Sequence, residues 1–236
     1  MSPASSRWLR GLRSLLPILL FPLLYHGTGR LNIGLPVWVL DLPLESLEVS
    51  LFHGHPSLYL SRLAPWLLLS EFLHLSYVSF YLLVPCLPLA LFLERRERLQ
   101  SYVVFMICTC FSVCLVSFIW FPVTSPLYKF PHIGPPLSKG FFMRFAHAIS
   151  GRGGVVGGAF PSSHAALTVL NLLLAARWER RVFWVTLVPS LGLLVATVYG
   201  RYHYALDTIA GTLLGVLVCA LLGRRPWPGA DGLHQS

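Results

Sequence analysis

Residues 102–123 read YVVFMICTCFSVCLVSFIWFPV, an apolar run of 22 residues without one charged side chain. A helix of about 20 apolar residues is long enough to cross the hydrocarbon core of a bilayer. A second run of similar length extends from Phe72 to Leu93. These two runs predict a protein that is embedded in a membrane.

The composition of the whole chain agrees with this class. Of its 236 residues, 55% are hydrophobic and 11% are charged, whereas a soluble domain carries about 25% charged residues. The net charge of +9 does not indicate a nucleic-acid partner, because the basic residues fall between apolar runs instead of forming one basic face. The five cysteines lie inside apolar stretches without metal-ligand spacing, so we interpret them as packing residues.

Further spans are predicted on both sides of the two long runs. Three segments are shorter but continuous enough to span: Pro161 to Ala176, Val182 to Tyr199, and Thr208 to Leu222. The first apolar segment, Leu15 to Tyr25, is short and contains Pro17 and Pro22. A signal-peptide core or a re-entrant segment is the alternative interpretation of that segment.

The distribution of arginine favours six spans, because cytoplasmic loops accumulate Lys and Arg. Six spans place four arginine-bearing segments on one side: Arg7, Arg10 and Arg13; Arg95, Arg96 and Arg98; Arg177, Arg180 and Arg181; Arg224 and Arg225. The predicted fold is an all-α, polytopic bundle of six transmembrane helices. A cytoplasmic N-terminal segment (1–14) precedes the membrane domain (15–223), and a cytoplasmic tail (224–236) follows it, with 228–236 disordered.

The segment from Gly34 to Phe52 falls on the extracytoplasmic side in this arrangement. It carries the acidic residues Asp41, Glu45 and Glu48. We expect it along the membrane interface, and its prolines at 36 and 43 argue against one continuous helix.

The first motif closes the outer loop that runs from Thr124 to Phe160. Residues 157–164 read GGAFPSSH and lead directly into an apolar helix. Proline and small hydroxyl residues at a helix start leave backbone N–H groups that can bind an anion. The alternative is that Ser162 or Ser163 is an ordinary helix cap.

The second motif lies between the last two predicted spans, on the same side of the membrane. Residues 199–207 read YGRYHYALD. His203 and Asp207 are four residues apart, so on a helix they share a face and the carboxylate can hold one ring nitrogen. The other nitrogen is then free to act as a nucleophile or a base. An ordinary surface pair is the alternative.

Together the two motifs resemble the type 2 phosphatidic acid phosphatase superfamily. Its signatures are Lys-x6-Arg-Pro, Pro-Ser-Gly-His and Ser-Arg-x5-His-x3-Asp, on a six-helix membrane fold. Residues 161–164 match the second signature with Ser for Gly, and residues 203–207 match the end of the third. The first signature is absent, and Ala196 and Thr197 stand where the third has Ser-Arg. The sequence Arg-Tyr-His-Tyr at residues 201–204 is similar to that of the inositol phosphorylceramide synthase branch of the superfamily.

The resemblance implies roles for individual residues. His203 would attack phosphorus, Asp207 would orient its ring, and His164 would protonate the leaving alkoxide. Candidates for binding the phosphate are Arg201, Ser162, Ser163, Lys129, Lys139 and Arg144. Glu71 and His74, three residues apart near the outer end of the second span, are expected to support the site or its acceptor side.

The function that follows is a lipid phosphate phosphatase with its active site on the extracytoplasmic face. It would use no cofactor and no metal, because the outer loops supply few clustered ligands. Two alternatives stay open: a phospholipid head-group transferase of the inositol phosphorylceramide synthase type, and a non-catalytic relative that binds phospholipid.

Overall fold

The computed structural model of the protein describes residues 3–31 and 38–223, without the side chains of residues 3–7, 10, 38–40 and 152. The predicted tail, Arg224, Arg225 and Pro36 therefore lie outside the described residues. Within the described part the chain is helical and forms no strand. The helices are α1 (Pro3–Leu19), α2 (Phe21–Leu31), α3 (Trp38–Phe52), α4 (Pro56–Leu63), α5 (Leu67–Val78), α6 (Phe80–Leu93), α7 (Glu97–Trp120), α8 (Pro126–Lys129), α9 (Phe141–Gly153), α10 (Ser163–Trp178), α11 (Arg180–Tyr199) and α12 (Ala205–Leu222).

Three described helices, α7, α11 and α12, are long and apolar enough to cross a membrane. The pair formed by α5 and α6 makes a fourth candidate if it is counted as one bent span. Helix α10 has 16 residues, or about 24 Å of length, which is less than the roughly 30 Å hydrocarbon core. The all-helical, membrane-embedded class is thus confirmed, while the count of six spans stays a prediction.

The span predicted for Phe72 to Leu93 is broken in the structure. Helix α5 begins earlier, at Leu67, and the axis bends by 50° between α5 and α6. The break falls at Ser79, whose hydroxyl donates to the Ser76 carbonyl at 2.7 Å. Helix α6 also contains two prolines, which lack the N–H that a regular helix would use. The bend brings the C-terminal end of α5 and the start of α6 to one cavity.

Helix α10 is the centre of the bundle and packs against α12, α11, α7 and α6. Its close contact with α12 requires two glycines, one turn apart. A Cβ atom at Gly211 would lie 2.2 Å from the Ser162 carbonyl oxygen, and one at Gly215 would lie 2.4 Å from that of Ala166. No side chain fits at either distance, so these glycines allow the two helices that carry the motifs to touch.

The first apolar segment joins this core through α7. It is divided between α1 and α2, which meet at Leu20, and Phe21 stacks on Phe111 with ring centroids 4.0 Å apart. Gln100 donates to the Ser14 hydroxyl at 2.7 Å. The segment therefore packs as part of the helical domain.

The described part of the acidic segment, Trp38–Phe52, is one helix, against the expectation from Pro43. Helix α3 contains Pro43, and its carboxylates at 41, 45 and 48 lie on one face that bonds to the rest of the protein. Asp41 accepts the Thr124 N–H at 2.8 Å, and Glu48 accepts the Ala205 N–H at 2.7 Å. These tertiary bonds compensate for the hydrogen bond that the proline removes.

The two segments that carry the motifs contact the residues that follow the C-terminal end of α7. Val123 forms an isolated bridge with Gly158, and the Ser125 hydroxyl donates to the Tyr202 carbonyl at 2.6 Å. The loops before α10 and before α12 therefore meet beside the start of the outer loop.

Candidate active site

His203 lies in the turn between α11 and α12, and Asp207 lies in the first turn of α12. The expected pairing forms, but across a helix start and not along one helical face. The Asp207 carboxylate accepts the Tyr204 N–H at 2.9 Å and lies 3.6 Å from Nδ1 of His203. Asp207 is fully buried, and the hydrogen bond from the Tyr204 N–H holds its carboxylate in position.

The tautomer of His203 follows from the neighbours of its ring. Nδ1 lies 3.1 Å from the Ala159 carbonyl oxygen and faces the Asp207 carboxylate, and both of these groups can only accept hydrogen bonds. The neutral ring therefore carries its proton on Nδ1. Its Nε2 is left with a free lone pair, which is the form required of a nucleophile or a base.

His164 occupies the second position of α10 and faces His203. The two ring centroids are 5.8 Å apart. Tyr77 stacks on His164, with the two ring centroids 4.8 Å apart. The ring centroid of Phe80 lies 4.3 Å from that of His164. The Nδ1 atom of His164 is buried without a hydrogen-bond partner. The aromatic rings hold the imidazole in place by packing, without fixing its tautomer.

A cavity of about 370 Å³ opens beside the two histidines. Ser163, His164 and His203 lie among its polar lining residues, and most of the remaining wall is apolar. Side chains from α1, α2, α6 and α7 form this wall, and they include Ile18, Phe21, Val84, Pro85 and Phe111. A ligand with a polar head and an apolar body matches such a lining.

The two serines of the motif have different positions. Ser163 lines the cavity. The Ser162 hydroxyl instead accepts the Ala165 N–H at 3.3 Å and caps α10, while its own N–H donates to the Asp207 carbonyl oxygen at 2.9 Å. Ser162 therefore caps α10, as the alternative interpretation expected, and its N–H also ties the start of α10 to α12.

Lys129 is engaged with carboxylates of α3. Its ammonium lies 2.5 Å from Glu45 and 3.2 Å from Asp41. Burial disfavours the charged amine, but these two hydrogen bonds outweigh it and raise the pKa of Lys129. The lysine holds α3 against the outer loop and does not line the cavity.

The other basic candidates also lie away from the cavity lining. Lys139 ends a 3-10 turn at Leu137–Lys139, and Arg144 lines a second cavity. Arg201 has a left-handed backbone with φ of 63°, and its Nη1 donates to the Pro131 carbonyl oxygen. The structure therefore places Ser163 in the same cavity as His164 and His203, and it does not place Arg201, Lys129, Lys139 or Arg144 there. Their roles in phosphate binding stay predictions.

Glu71 and His74 make no direct contact with the candidate catalytic residues His164, His203 and Asp207. The Glu71 carboxylate accepts the N–H groups of Phe142 and Met143 at 3.0 and 3.1 Å and caps α9. His74 is buried and bonds to the Ser70 carbonyl oxygen at 2.6 Å. Its ring centroid lies 5.9 Å from that of Tyr202.

Two residues at the site, Tyr77 and Thr197, are not part of either sequence motif. Tyr202 stacks on Tyr77 with centroids 3.8 Å apart, and Tyr77 in turn stacks on His164. Thr197, at the place of the third-signature arginine, is buried and lies 2.9 Å from the Thr208 hydroxyl. No spacing rule identifies Tyr77 or Thr197, because both act through contacts between helices.

The acidic face of α3 packs against the turn that carries His203. Besides the Ala205 N–H, Glu48 bonds to Nδ1 of His55 at 2.8 Å. Glu45 accepts the Tyr204 hydroxyl at 2.6 Å. The spacing of 41, 45 and 48 is the signal that indicates one helical face.

Among the described residues, no group of three or more His, Cys, Asp or Glu side chains could hold a metal ion. The arrangement at the cavity instead offers two imidazoles, one oriented by a carboxylate. Such a pair can perform nucleophilic and acid–base chemistry on a phosphate ester.

Comparison with known proteins gives one match. The sequence profile of the PAP2 superfamily matches residues 44–221, which is more than half of the chain and includes α4 to α11 and both motifs. No curated protein and no solved structure matches. Members of the superfamily are phosphatases or phosphotransferases that act on phosphate esters. By this match over most of its length, the chain belongs to the PAP2 superfamily.

Proposed function

We propose that the protein is a membrane lipid phosphate phosphatase that works through a phosphohistidine on His203. The observation that carries the proposal is the position of His164 and His203 together at the polar end of an apolar cavity. The apolar wall suits the acyl chains of a lipid, and the two imidazoles suit its phosphate group.

In the first step Nε2 of His203 attacks phosphorus and the bond from phosphorus to the alkoxide oxygen breaks. His164, protonated at the start, gives its proton to the leaving oxygen, so that a neutral alcohol departs. The Nδ1 proton of His203 stays between the Ala159 carbonyl oxygen and Asp207, and the carboxylate stabilises the charge that develops on the ring. The phosphoryl group is now bonded to nitrogen.

In the second step the neutral His164 takes a proton from water, and the hydroxide attacks phosphorus. The bond from phosphorus to nitrogen breaks, inorganic phosphate leaves, and His164 is protonated again. Splitting one displacement into two lowers the barrier of each. Ser163 and the backbone N–H groups at the start of α10 are the donors proposed for the phosphoryl oxygens.

A head-group transferase is the second candidate, and it shares the first step. An alcohol would then replace water in the second step, and His164 would deprotonate it. A second cavity that shares Leu127 and Tyr128 with the first favours this candidate, because it gives a second substrate a place beside the first. A relative that only binds phospholipid is less well supported, since binding does not require the oriented His203 and Asp207 pair.

Rapid-quench trapping tests the proposal. Phosphatidic acid labelled in its phosphate is mixed with the purified protein and quenched in base, which preserves phosphohistidine. We expect acid-labile label on the wild type and none on His203→Gln. The exposed His53 at the end of α3 provides a matched control, and His53→Gln should label normally. Label on another residue, or full turnover by His203→Gln, would contradict the mechanism.

The same preparation separates the two candidates. Release of free phosphate identifies a phosphatase. A product that contains an added alcohol and the phosphoryl head group identifies a transferase. If neither product forms and the enzyme is not labelled, the protein is a relative that binds phospholipid without catalysis.

A further inference from the structure

Tyr77 presents the face of its ring to His164. The two ring centroids are 4.8 Å apart and the ring planes differ by 18°, so the rings are stacked. Tyr77 is buried and lies in the last turn of α5. Phe80, at the start of α6, contacts the same imidazole, but its ring plane is tilted by 42°. Of these two aromatic neighbours, Tyr77 is therefore the one that lies parallel to the imidazole.

The other face of the Tyr77 ring is covered by Tyr202. Their ring centroids are 3.8 Å apart and the ring planes differ by 10°. Tyr202 directly precedes His203, and its carbonyl oxygen accepts the Ser125 hydroxyl at 2.6 Å. The three rings of His164, Tyr77 and Tyr202 thus form one stack. This stack prevents the Tyr77 ring from turning away and joins His164 to the turn that carries His203.

A protonated His164 has no anionic partner among the described side chains. It takes part in none of the ion pairs that these side chains form. Of the described residues that line its cavity, none is a carboxylate, a lysine or an arginine. A charge that is withdrawn from water is costly unless a partner compensates for the lost hydration. The proposed proton donor therefore needs another source of stabilisation.

The titratable groups around His164 belong to several elements. The ring centroid of His203 lies 5.8 Å away, and a positive charge on that ring would repel one on His164. Asp207 of α12 is engaged with Nδ1 of His203 and with the Tyr204 N–H. The other titratable side chains that line the cavity are Tyr25 and His26 of α2, Tyr77 of α5, Tyr81 of α6, Tyr128 of α8, and Tyr202. The tyrosines are neutral near pH 7, so they act on His164 through their rings and hydroxyl groups.

We propose that Tyr77 is a positioning residue for the proton donor: its ring face holds the imidazole of His164 and stabilises the protonated form. This role rests on the proposed function of His164. An aromatic ring attracts a cation that lies over its face within about 6 Å of the centroid, and the attraction increases when water is excluded. After His164 has given its proton to the leaving oxygen, the neutral imidazole stays stacked and is in place to take a proton from water.

Kinetics of ring variants test this role. Tyr77→Phe keeps the ring face, and Tyr77→Leu removes it. The matched control is Phe72→Leu on the same helix, because Phe72 is exposed and does not line the cavity. For each protein kcat/KM is measured between about pH 5 and pH 9, on phosphatidic acid and on nitrophenyl phosphate. The alkaline limb of this profile reports the essential acid of the free enzyme.

We expect Tyr77→Leu to move the alkaline limb on phosphatidic acid by roughly one pH unit to lower pH. The reason is that the imidazolium of His164 loses its proton more readily without the ring. Turnover of phosphatidic acid at neutral pH should fall by about tenfold. The loss on nitrophenyl phosphate should be much smaller, because its leaving group needs little protonation. Tyr77→Phe and Phe72→Leu should keep the wild-type limb and both rates.

A fluorinated ring separates the charge distribution of the side chain from its shape. Trifluorophenylalanine, introduced at position 77 in place of the phenylalanine of Tyr77→Phe, keeps nearly the same shape. Its fluorine atoms withdraw electrons from the ring face and weaken the attraction for a cation. This variant should fold as Tyr77→Phe does, and its alkaline limb should move toward lower pH. The comparison decides the question even if Tyr77→Leu does not fold.

The role of Tyr77 is contradicted if the fluorinated variant has the same limb as Tyr77→Phe, or if Tyr77→Leu loses as much on both substrates. His164→Ala in the same assays reports on the proposed function itself. If His164→Ala shows no selective loss on phosphatidic acid, the proposed role of His164 fails, and that of Tyr77 fails with it. A selective loss in His164→Ala, together with a wild-type limb in Tyr77→Leu, contradicts the role of Tyr77 alone.

Discussion

The imidazoles of His203 and His164 differ in their hydrogen-bond partners, and this difference supports the roles that we propose for them. His203 has acceptors at Nδ1 on two sides, so it presents a bare Nε2. His164 is held by the rings of Tyr77 and Phe80, with no acceptor at Nδ1, so no hydrogen bond at that atom fixes its tautomer. The nucleophile needs a fixed tautomer, whereas the proton donor must change its state twice in each turnover.

This assignment predicts a selective defect in His164→Ala. Its turnover of phosphatidic acid should fall by about 10² to 10⁴-fold, the usual contribution of a positioned acid or base. The loss should shrink to about tenfold with a nitrophenyl phosphate, whose leaving group needs little protonation. Steady-state rates on both substrates measure this. An equal loss on both would show that His164 does not protonate the leaving group.

His147 provides a second prediction at this scale. Burial first, and then the charges of His74, His132 and Arg201, lower its pKa from the ordinary 6.5 to about 4, although a hydrogen bond to the Gly200 carbonyl acts in the opposite direction. Between those two values the unfolded chain binds a proton that the folded protein does not. Stability should therefore decrease as the pH falls from about 6.5 to about 4, by up to about 3 kcal/mol.

The measurement compares Tm at pH 7.5 and pH 4.5 in a chloride buffer. The wild type should lose several degrees more than His147→Gln, in which this proton uptake is absent. His53→Gln, altered at an exposed histidine, should behave as the wild type. An identical decrease in all three proteins would remove His147 as the cause.

Sequence predicted the contact between His203 and Asp207 better than it predicted the contacts of the phosphate-binding candidates, for a physical reason. His203 and Asp207 are joined by local geometry, so their spacing alone brings them together. The direction of the Arg201 side chain depends on a left-handed backbone and on a carbonyl group 70 residues away. The partners of Lys129 lie on α3, more than 80 residues before it in the chain. Residue type and spacing do not determine such contacts.

At the scale of helices, the apolar runs predicted the elements but not their breaks. Helices α7, α11 and α12 lie where long apolar runs require them. The 50° bend at Ser79 and the continuity of α3 through Pro43 were not predicted, because each depends on packing or hydrogen bonds to other parts of the chain. The hydrophobicity of a segment indicates whether it is buried or in the membrane. It does not indicate which packing contacts and hydrogen bonds the segment makes with other parts of the chain.

Helix α3 also carries a prediction. Glu48 is fully buried, and its carboxylate connects His55 to the first turn of α12, beside Tyr204 and Asp207. Hydrogen bonds to a charged group contribute about 1.5–3 kcal/mol each. Glu48→Ala removes two such bonds and should therefore lower Tm by roughly 6 to 24 °C, and it should lower kcat more than KM is changed, because the pair of His203 and Asp207 loses its support.

The matched control is Ser50→Ala on the same helix. Ser50 is exposed, and its hydroxyl bonds only to the Leu47 carbonyl of α3 itself. Glu48→Gln, which keeps an acceptor for the Ala205 N–H, should recover part of the lost kcat. If Glu48→Ala unfolds and turns over as Ser50→Ala does, α3 does not position the catalytic turn.

At the scale of the whole molecule, arginine-bearing segments meet at one end of the helix bundle. Arg96 donates to the Trp178 carbonyl oxygen at 2.9 Å, between α10 and α11. Gln100 reaches Ser14, next to Arg13, and the Tyr102 hydroxyl bonds to the Leu222 carbonyl at the end of α12. The proposed catalytic residues lie near the other end of α7, beside Val123 and Ser125.

Because the arginine-bearing segments and the two histidines lie at opposite ends of α7, the charge pattern predicts the orientation of the protein in the membrane. Helix α7 has 24 residues, or about 36 Å, which is enough to cross a hydrocarbon core of roughly 30 Å. Its two ends must then face opposite compartments. Because short cytoplasmic segments accumulate arginine, we expect the end with Arg96 inside the cell and the end with His164 and His203 outside, with six spans and both termini cytoplasmic.

Reporter fusions measure this orientation directly. An alkaline phosphatase reporter fused after Phe130 should be active, as outside the cytoplasm, and one fused after Arg98 should be inactive. A fluorescent protein that matures only in the cytoplasm should give the opposite pattern at the same two sites. The reverse of both results would place the phosphate chemistry on the cytoplasmic face, because α7 fixes the two ends on opposite sides. The same state at both sites would mean that α7 does not span.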